Sequence, residues 1–155
     1  MRSSISKLSV ILIMLTSIAF ISSSCKKNDV KKSRPELLMG SWIQTAETIN
    51  PPYDLDQDGT NESDIFSLYS QCIKDDYYDF KAQGAGEFNE GATKCDPADD
   101  QTGTFSWELR NNDNTLVWYG DSYTLDQLDE NTLKFSDTFS ENNVTYTYTL
   151  TFKRR

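Results

Sequence analysis

The densest run of metal-ligand chemistry in the chain is Asp54-Leu55-Asp56-Gln57-Asp58-Gly59-Thr60-Asn61-Glu62-Ser63-Asp64. Carboxylates at alternate positions of a tight loop converge on one point, and hard oxygens suit Ca²⁺. Gly59 permits the sharp turn, and Thr60 offers a backbone carbonyl. Where a bidentate Glu would complete such a loop, Ile65 stands instead. Glu62 and Asp64 are left to supply the last oxygens. The expected metal set is Asp54, Asp56, Asp58, Thr60, Glu62 and Asp64. Its expected affinity is modest, about 10⁻⁴ M, and its role structural: to order the loop. The same residues also read as a solvated acidic loop.

Other reactive chemistry is sparse. The chain has no histidine, which removes the commonest general base and the commonest transition-metal ligand. It has neither a G-x-S-x-G nucleophile motif nor a phosphate loop. The acidic pairs Asp75-Asp76 and Asp99-Asp100 read as solvated turns, because adjacent residues on a strand face opposite ways. No catalytic residues are expected, and the chain is read as a non-enzyme. The acidic loop itself resembles the free-standing Asp-x-Asp-x-Asp-Gly loops of extracellular proteins more than an EF-hand, since no flanking helix pair is evident.

Three cysteines remain. Arg2 and Lys7 precede the uncharged run Leu8–Ile21, then Ser22-Ser23-Ser24 and Cys25. This is the n-region, h-region and small-residue site of a secretory signal, so residues 1–24 are expected to be a signal peptide. The apolar run is about 14 residues, short of the ~20 that span a bilayer as a helix. Cys25 after the small residues resembles a bacterial lipobox, with Ser22 where Leu is usual. The resemblance implies a lipidated Cys25, a membrane partner through that anchor, and an outer-membrane lipoprotein of the cell envelope, facing the periplasm or the surface. Export places Cys72 and Cys95 in an oxidising space, and their even count predicts a Cys72–Cys95 disulfide. A loop of that size is worth about 3 kcal/mol in the chain-entropy account.

Charge divides at residue 34. Residues 26–34 hold five Lys/Arg against one Asp, and residues 35–155 hold eight Lys/Arg against 23 Asp/Glu. The basic stretch within residues 25–34 reads as a lipidated tether beside anionic head groups. The acidic remainder repels nucleic acid.

The elements that must carry these groups are strands. Pro35–Met39 reads as one helical turn broken by Gly40, and Ser41–Ile49 as the first strand, ended by Pro51-Pro52. Asp76–Phe80, Gly84–Asn89, Thr104–Arg110, Thr115–Tyr119, Ser122–Leu128 and Thr132–Phe139 follow, with turns at Asn111–Asn114, Asp129–Asn131 and Glu141–Asn143. Val144–Lys153 is the strongest signal. Val144, Tyr146, Tyr148, Leu150 and Phe152 share one face, and four Thr and Lys153 share the other. The expected fold is all-β, about eight antiparallel strands over residues 35–155 in a small closed up-and-down β-barrel or a sandwich, with closure favoured because it removes exposed edges.

Leu37-Leu38-Met39-Gly40-Ser41-Trp42 resembles the opening of the lipocalin-like domains of Gram-negative lipoproteins, which carry Leu-x-Gly-x-Trp on the first strand. The resemblance continues through Cys72-Ile73-Lys74-Asp75-Asp76, Cys95 and the Leu128–Leu133 turn. It implies that Trp42 plugs a closed barrel end and that Lys153 or Arg154 packs on it. The barrel-interior candidates for ligand contact are Trp42, Phe105, Trp107, Tyr146 and Tyr148. Two functions follow. One is a monomeric, tethered module binding a small apolar or amphipathic ligand. The other is an interaction module with a filled barrel and a calcium-ordered loop that meets another envelope protein or a glycan. A cavity separates the two.

Overall fold

In a computed structural model, which describes residues 31–155, the alternating segments form one antiparallel sheet that closes on itself. The expected signal peptide and Cys25 lie outside the described residues. The strands are β1 (Gly40–Tyr53), β2 (Glu62–Asp64), β3 (Tyr77–Phe80), β4 (Ala85–Asn89), β5 (Thr102–Arg110), β6 (Thr115–Trp118), β7 (Asp121–Leu128), β8 (Thr132–Glu141) and β9 (Val144–Arg154). From β3 to β9 each pairs with the next, and β1 joins β3 on one edge and β9 on the other. Eight strands therefore close an up-and-down barrel rather than a sandwich. The short β2 lies outside that circuit, on the far half of the β1 edge that β3 uses.

Local chemistry sets the turns. The β8–β9 hairpin runs from Thr132↔Lys153 to Glu141↔Val144. It reverses through Asn142 and Asn143, both left-handed at φ 50° and 62°, a conformation that matches strand twist and that Asn tolerates. Every inward face then meets in one core. Leu38, Trp42, Leu116, Leu133 and Phe135 have no exposed surface, and Phe80, Phe105, Trp118, Leu125, Leu128 and Phe152 complete the cluster.

One end of the barrel is plugged. Helix α1 (Arg34–Leu38) is started by a capping box, with Ser33 and Glu36 satisfying each other's backbone N–H groups. Its Leu38 enters the core, and the Trp42 indole N–H donates to the Leu38 carbonyl at 2.7 Å. The Arg154 guanidinium lies 4.0 Å from the Trp42 ring centroid and donates to the carbonyls of Leu37 and Met39 at 2.5 and 2.7 Å. Of the two basic residues expected near the opening Trp, Arg154 takes the place. Gly40 is required beneath it: at φ +123°, a Cβ there would sit 2.3 Å from the Arg154 Nη1.

Two expectations are corrected, one on β1 and one on Asp75 and Asp76. Strand β1 does not stop before Pro51-Pro52 but runs through both to Tyr53. The β9 ladder ends at Asn50↔Thr147 and the β2 pairing shifts register between Thr48 and Tyr53, so neither proline is asked for an N–H. The stretch before β3 holds a short 3-10 turn, Phe66–Leu68, and then helix α2 (Gln71–Lys74), which carries Cys72. Asp75 and Asp76 are partly buried rather than solvated. Asp75 accepts the N–H groups of Ala92 and Thr93 at 2.8 and 3.0 Å.

Candidate binding cavity

A cavity of about 450 Å³ opens at the end opposite the plug. Its walls come from most of the circuit: Gln44 and Glu47 on β1, Tyr78 on β3, Trp118 on β6, and Tyr148 and Leu150 on β9, with Tyr69 and Ile73 from the β1–β3 connection. The barrel is thus neither solid nor hollow. Its lower half is packed and its upper half is a cup.

Glu47 is the anomaly of the cup. Its side chain is 2% exposed, the one buried charged residue among the described residues. A β-bulge places it there. Gln44 pairs with Phe152, and Glu47 with Leu150, with a register shift between Gln44 and Ala46. The extra residue flips the alternation. Trp42 and Gln44 face inward before the shift, and Glu47 and Ile49 do so after it. Simple period-2 reading from Trp42 would have put Ala46 and Thr48 inside.

Burying a carboxylate is costly unless it is hydrogen-bonded. Here the hydroxyls of Tyr69 and Tyr148 both donate to Glu47 Oε1, and the Gln44 amide donates to Oε2. Burial, and then the Glu47 carboxylate, push the Tyr69 hydroxyl up to about 12. The same two causes, in the same order, push Tyr148 higher still. Both hydroxyls stay protonated as donors. Burial also raises Tyr78, which stacks edge-on against Trp118 at 4.9 Å between centroids.

The rim is apolar. Leu55, Leu68, Ile73, Tyr119, Phe139 and Val144 are the large hydrophobic side chains exposed among the described residues. Every one of them falls on a connection or strand end at the open side, as the strand directions require. The Cys72–Cys95 disulfide, with S–S 1.99 Å, ties α2 to the β4–β5 loop at this same side. The expected pairing is present, and it holds the segment that delivers Tyr69 and Ile73 to the cup.

Of the residues read from sequence as interior contacts, Tyr148 lines the cavity. Trp42 and Phe105 are buried in the packed half. Trp107 stacks near Phe80, its indole N–H donating to the carbonyls of Lys81 and Ala85. Tyr146 forms a separate aromatic group with Tyr53 and Phe139 at the far strand ends. Sequence reasoning missed Glu47, Gln44 and Tyr69. The Glu in an otherwise uncharged first strand was the available signal, but the bulge hid its direction.

The acidic loop hangs between paired stems, Tyr53↔Glu62. Asp54, Asp56 and Asp58 offer carboxylate oxygens within 4.8 Å of one another, a grouping able to hold a metal ion. The loop holds itself in shape. Asp54 accepts from the Gly59 N–H at 3.1 Å, Asp58 accepts from the Thr60 N–H at 2.7 Å, and Gly59 has φ +92°. Glu62 is taken into β2 and accepts from the Leu55 N–H. Asp64 turns to Ser67, accepting its N–H at 3.1 Å. The structure brings the first three expected ligands together and leaves Glu62 and Asp64 outside that group.

No protein-family model matches the chain, and a search of curated proteins returns no match. What the geometry defines is a closed eight-stranded up-and-down barrel, plugged at one end and cupped at the other.

Proposed function

We propose that this chain is a lipid-anchored, non-catalytic lipocalin-like protein of the cell envelope whose cup binds a small apolar or amphipathic ligand. The observation that carries the reading is the 450 Å³ cavity lined by aromatic and aliphatic side chains beneath an apolar rim. Cavities of roughly 300–1,000 Å³ that are mostly apolar, with a few convergent polar groups, are the usual form of small-molecule sites. A filled barrel serving only as an interaction module would have no use for a cup. The Trp42–Arg154 plug supports the resemblance read from the opening motif, since that resemblance implied a basic residue on this Trp. The acid-rich, histidine-free chain supports a binding role over catalysis. The Asp54–Asp56–Asp58 group supports Ca²⁺ as a structural ion that stiffens the β1–β2 loop. The signal-like residues 1–24 and Cys25 carry the anchoring part of the proposal.

The binding test is titration of the purified protein with the neutral fluorophore N-phenyl-1-naphthylamine. Saturable enhancement, lost when Leu150→Trp fills the cup, is the expected result. Linear, unsaturable signal overturns the binding reading. The anchor is tested separately by mass spectrometry of the native N-terminus: an acylated Cys25 is expected, and an uncleaved or unacylated chain refutes it.

A further inference from the structure

The cup holds one carboxyl group and no basic side chain. Among its lining residues there is no Lys or Arg, and Glu47 is the sole ionisable acid. The described salt bridges pair Lys32 with Glu130, Lys81 with Glu87 and Arg110 with Glu108, so none reaches Glu47. A buried carboxylate held by neutral donors alone is incompletely compensated. An ionised carboxylate has about four lone-pair sites. Oε1 takes two hydroxyls and Oε2 takes the Gln44 amide, which leaves Oε2 an open acceptor position. Gln44 is also the partner easiest to displace, being a flexible neutral amide that itself lines the cavity.

The rest of the wall suits the same occupant. Tyr78, Trp118, Tyr119, Tyr123 and Tyr148 surround the space, and the faces of such rings attract cations, most strongly where water is excluded. An anionic amphiphile would meet the opposite: a like charge and no donor cation. From these contacts we infer that the cup selects ligands bearing a protonated amine on a small apolar or aromatic body, with the ammonium bound at Glu47 and the body among the rings. The inference rests on the cup being a ligand site, and it names the chemical class that site prefers.

The test uses three matched compounds against bound N-phenyl-1-naphthylamine at neutral pH: 4-phenylbutylamine, 4-phenylbutanol and 4-phenylbutanoate. The amine should displace the probe at a concentration tenfold or more below the alcohol, as expected when a cationic donor replaces a neutral donor at the same carboxylate, and the carboxylate should be weakest. The preference should survive 0.5 M salt, which screens exposed charges but screens buried ones far less. In Glu47→Gln, the advantage of the amine over the alcohol should be lost. The wild-type comparison stands whether or not that variant folds. Equal displacement by amine and alcohol, a preference for the carboxylate, or a preference abolished by salt overturns the inference while leaving the cup a ligand site. Failure of the probe itself to bind removes both.

Discussion

The two ends of this barrel are built from the same strands and solve opposite problems. At the plugged end the buried indole and guanidinium of the plug meet fixed partners: Trp42 the Leu38 carbonyl, Arg154 the Leu37 and Met39 carbonyls and the Trp42 ring. At the cupped end a carboxyl group is buried with uncharged partners only, and apolar side chains are left in water. Natural sequences are locally consistent except where a site demands otherwise. The contrast sets a satisfied, packed end against an end that carries the proposed site.

That division can be broken by substitution. The largest effect should come from Trp42→Ala, which empties the centre of the plug. A loss of about 4 kcal/mol is expected in urea unfolding, with probe affinity unchanged at temperatures where the variant is folded. A cost below about 1 kcal/mol would show that the plug does not hold that end. Next comes Cys72→Ser with Cys95→Ser. Loss of the cross-link should cost about 3 kcal/mol and, unlike Trp42→Ala, should also weaken probe binding several-fold, because Tyr69 and Ile73 lose their anchor. Unchanged affinity would separate the disulfide from the cup.

Two smaller effects sharpen the picture of the open side. If the acidic loop binds Ca²⁺ near 10⁻⁴ M, ~1 mM Ca²⁺ should stabilise the fold by about 1.4 kcal/mol. A melting temperature indifferent to chelator would refute a stabilising ion, and Asp56→Asn should remove the response. The smallest effect concerns Asp76, whose carboxyl is pushed up to about 6, first by burial and then by the charges of Glu90 and Asp75. Its folded form holds the proton more tightly than the unfolded form does. Its contribution therefore favours folding at low pH and is lost as pH rises from about 4 to about 6. Asp76 is only partly buried, so solvent screening limits the effect to under ~1 kcal/mol. Comparing unfolding midpoints of wild type and Asp76→Asn at pH 4 and 7 checks it, with the variant gaining at pH 7. A variant that gains equally at both pH values would assign the effect to something other than titration.

The parts legible in the sequence were those where strict alternation meets a buried face. Val144–Lys153 displays its core residues without interruption, and β9 runs Val144–Arg154. The plug was legible only through a resemblance, in which the order of Leu-x-Gly-x-Trp, the two cysteines and the Leu128–Leu133 turn implied a basic residue packed on Trp42. The cup was not, because bulges rewrite the period. On β7 the register shift between Leu125 and Gln127 lets Leu125 and Leu128, three apart, both turn inward. On β1 the shift after Gln44 does the same for Glu47. A bulge leaves no composition signature in Thr45-Ala46-Glu47, so the inward direction of that carboxylate emerges only once β9 fixes the pairing.

The placement of Ser33 and Arg155 carries a practical consequence. Ser33 caps α1 at the plug, and Arg155 donates its N–H to the Ser41 carbonyl beside it. Chain entry and chain exit therefore share the floor of the molecule. A fusion partner, an affinity tag or a sensor chip joined at either place takes hold from below, and solute arriving from above still finds the doorway clear.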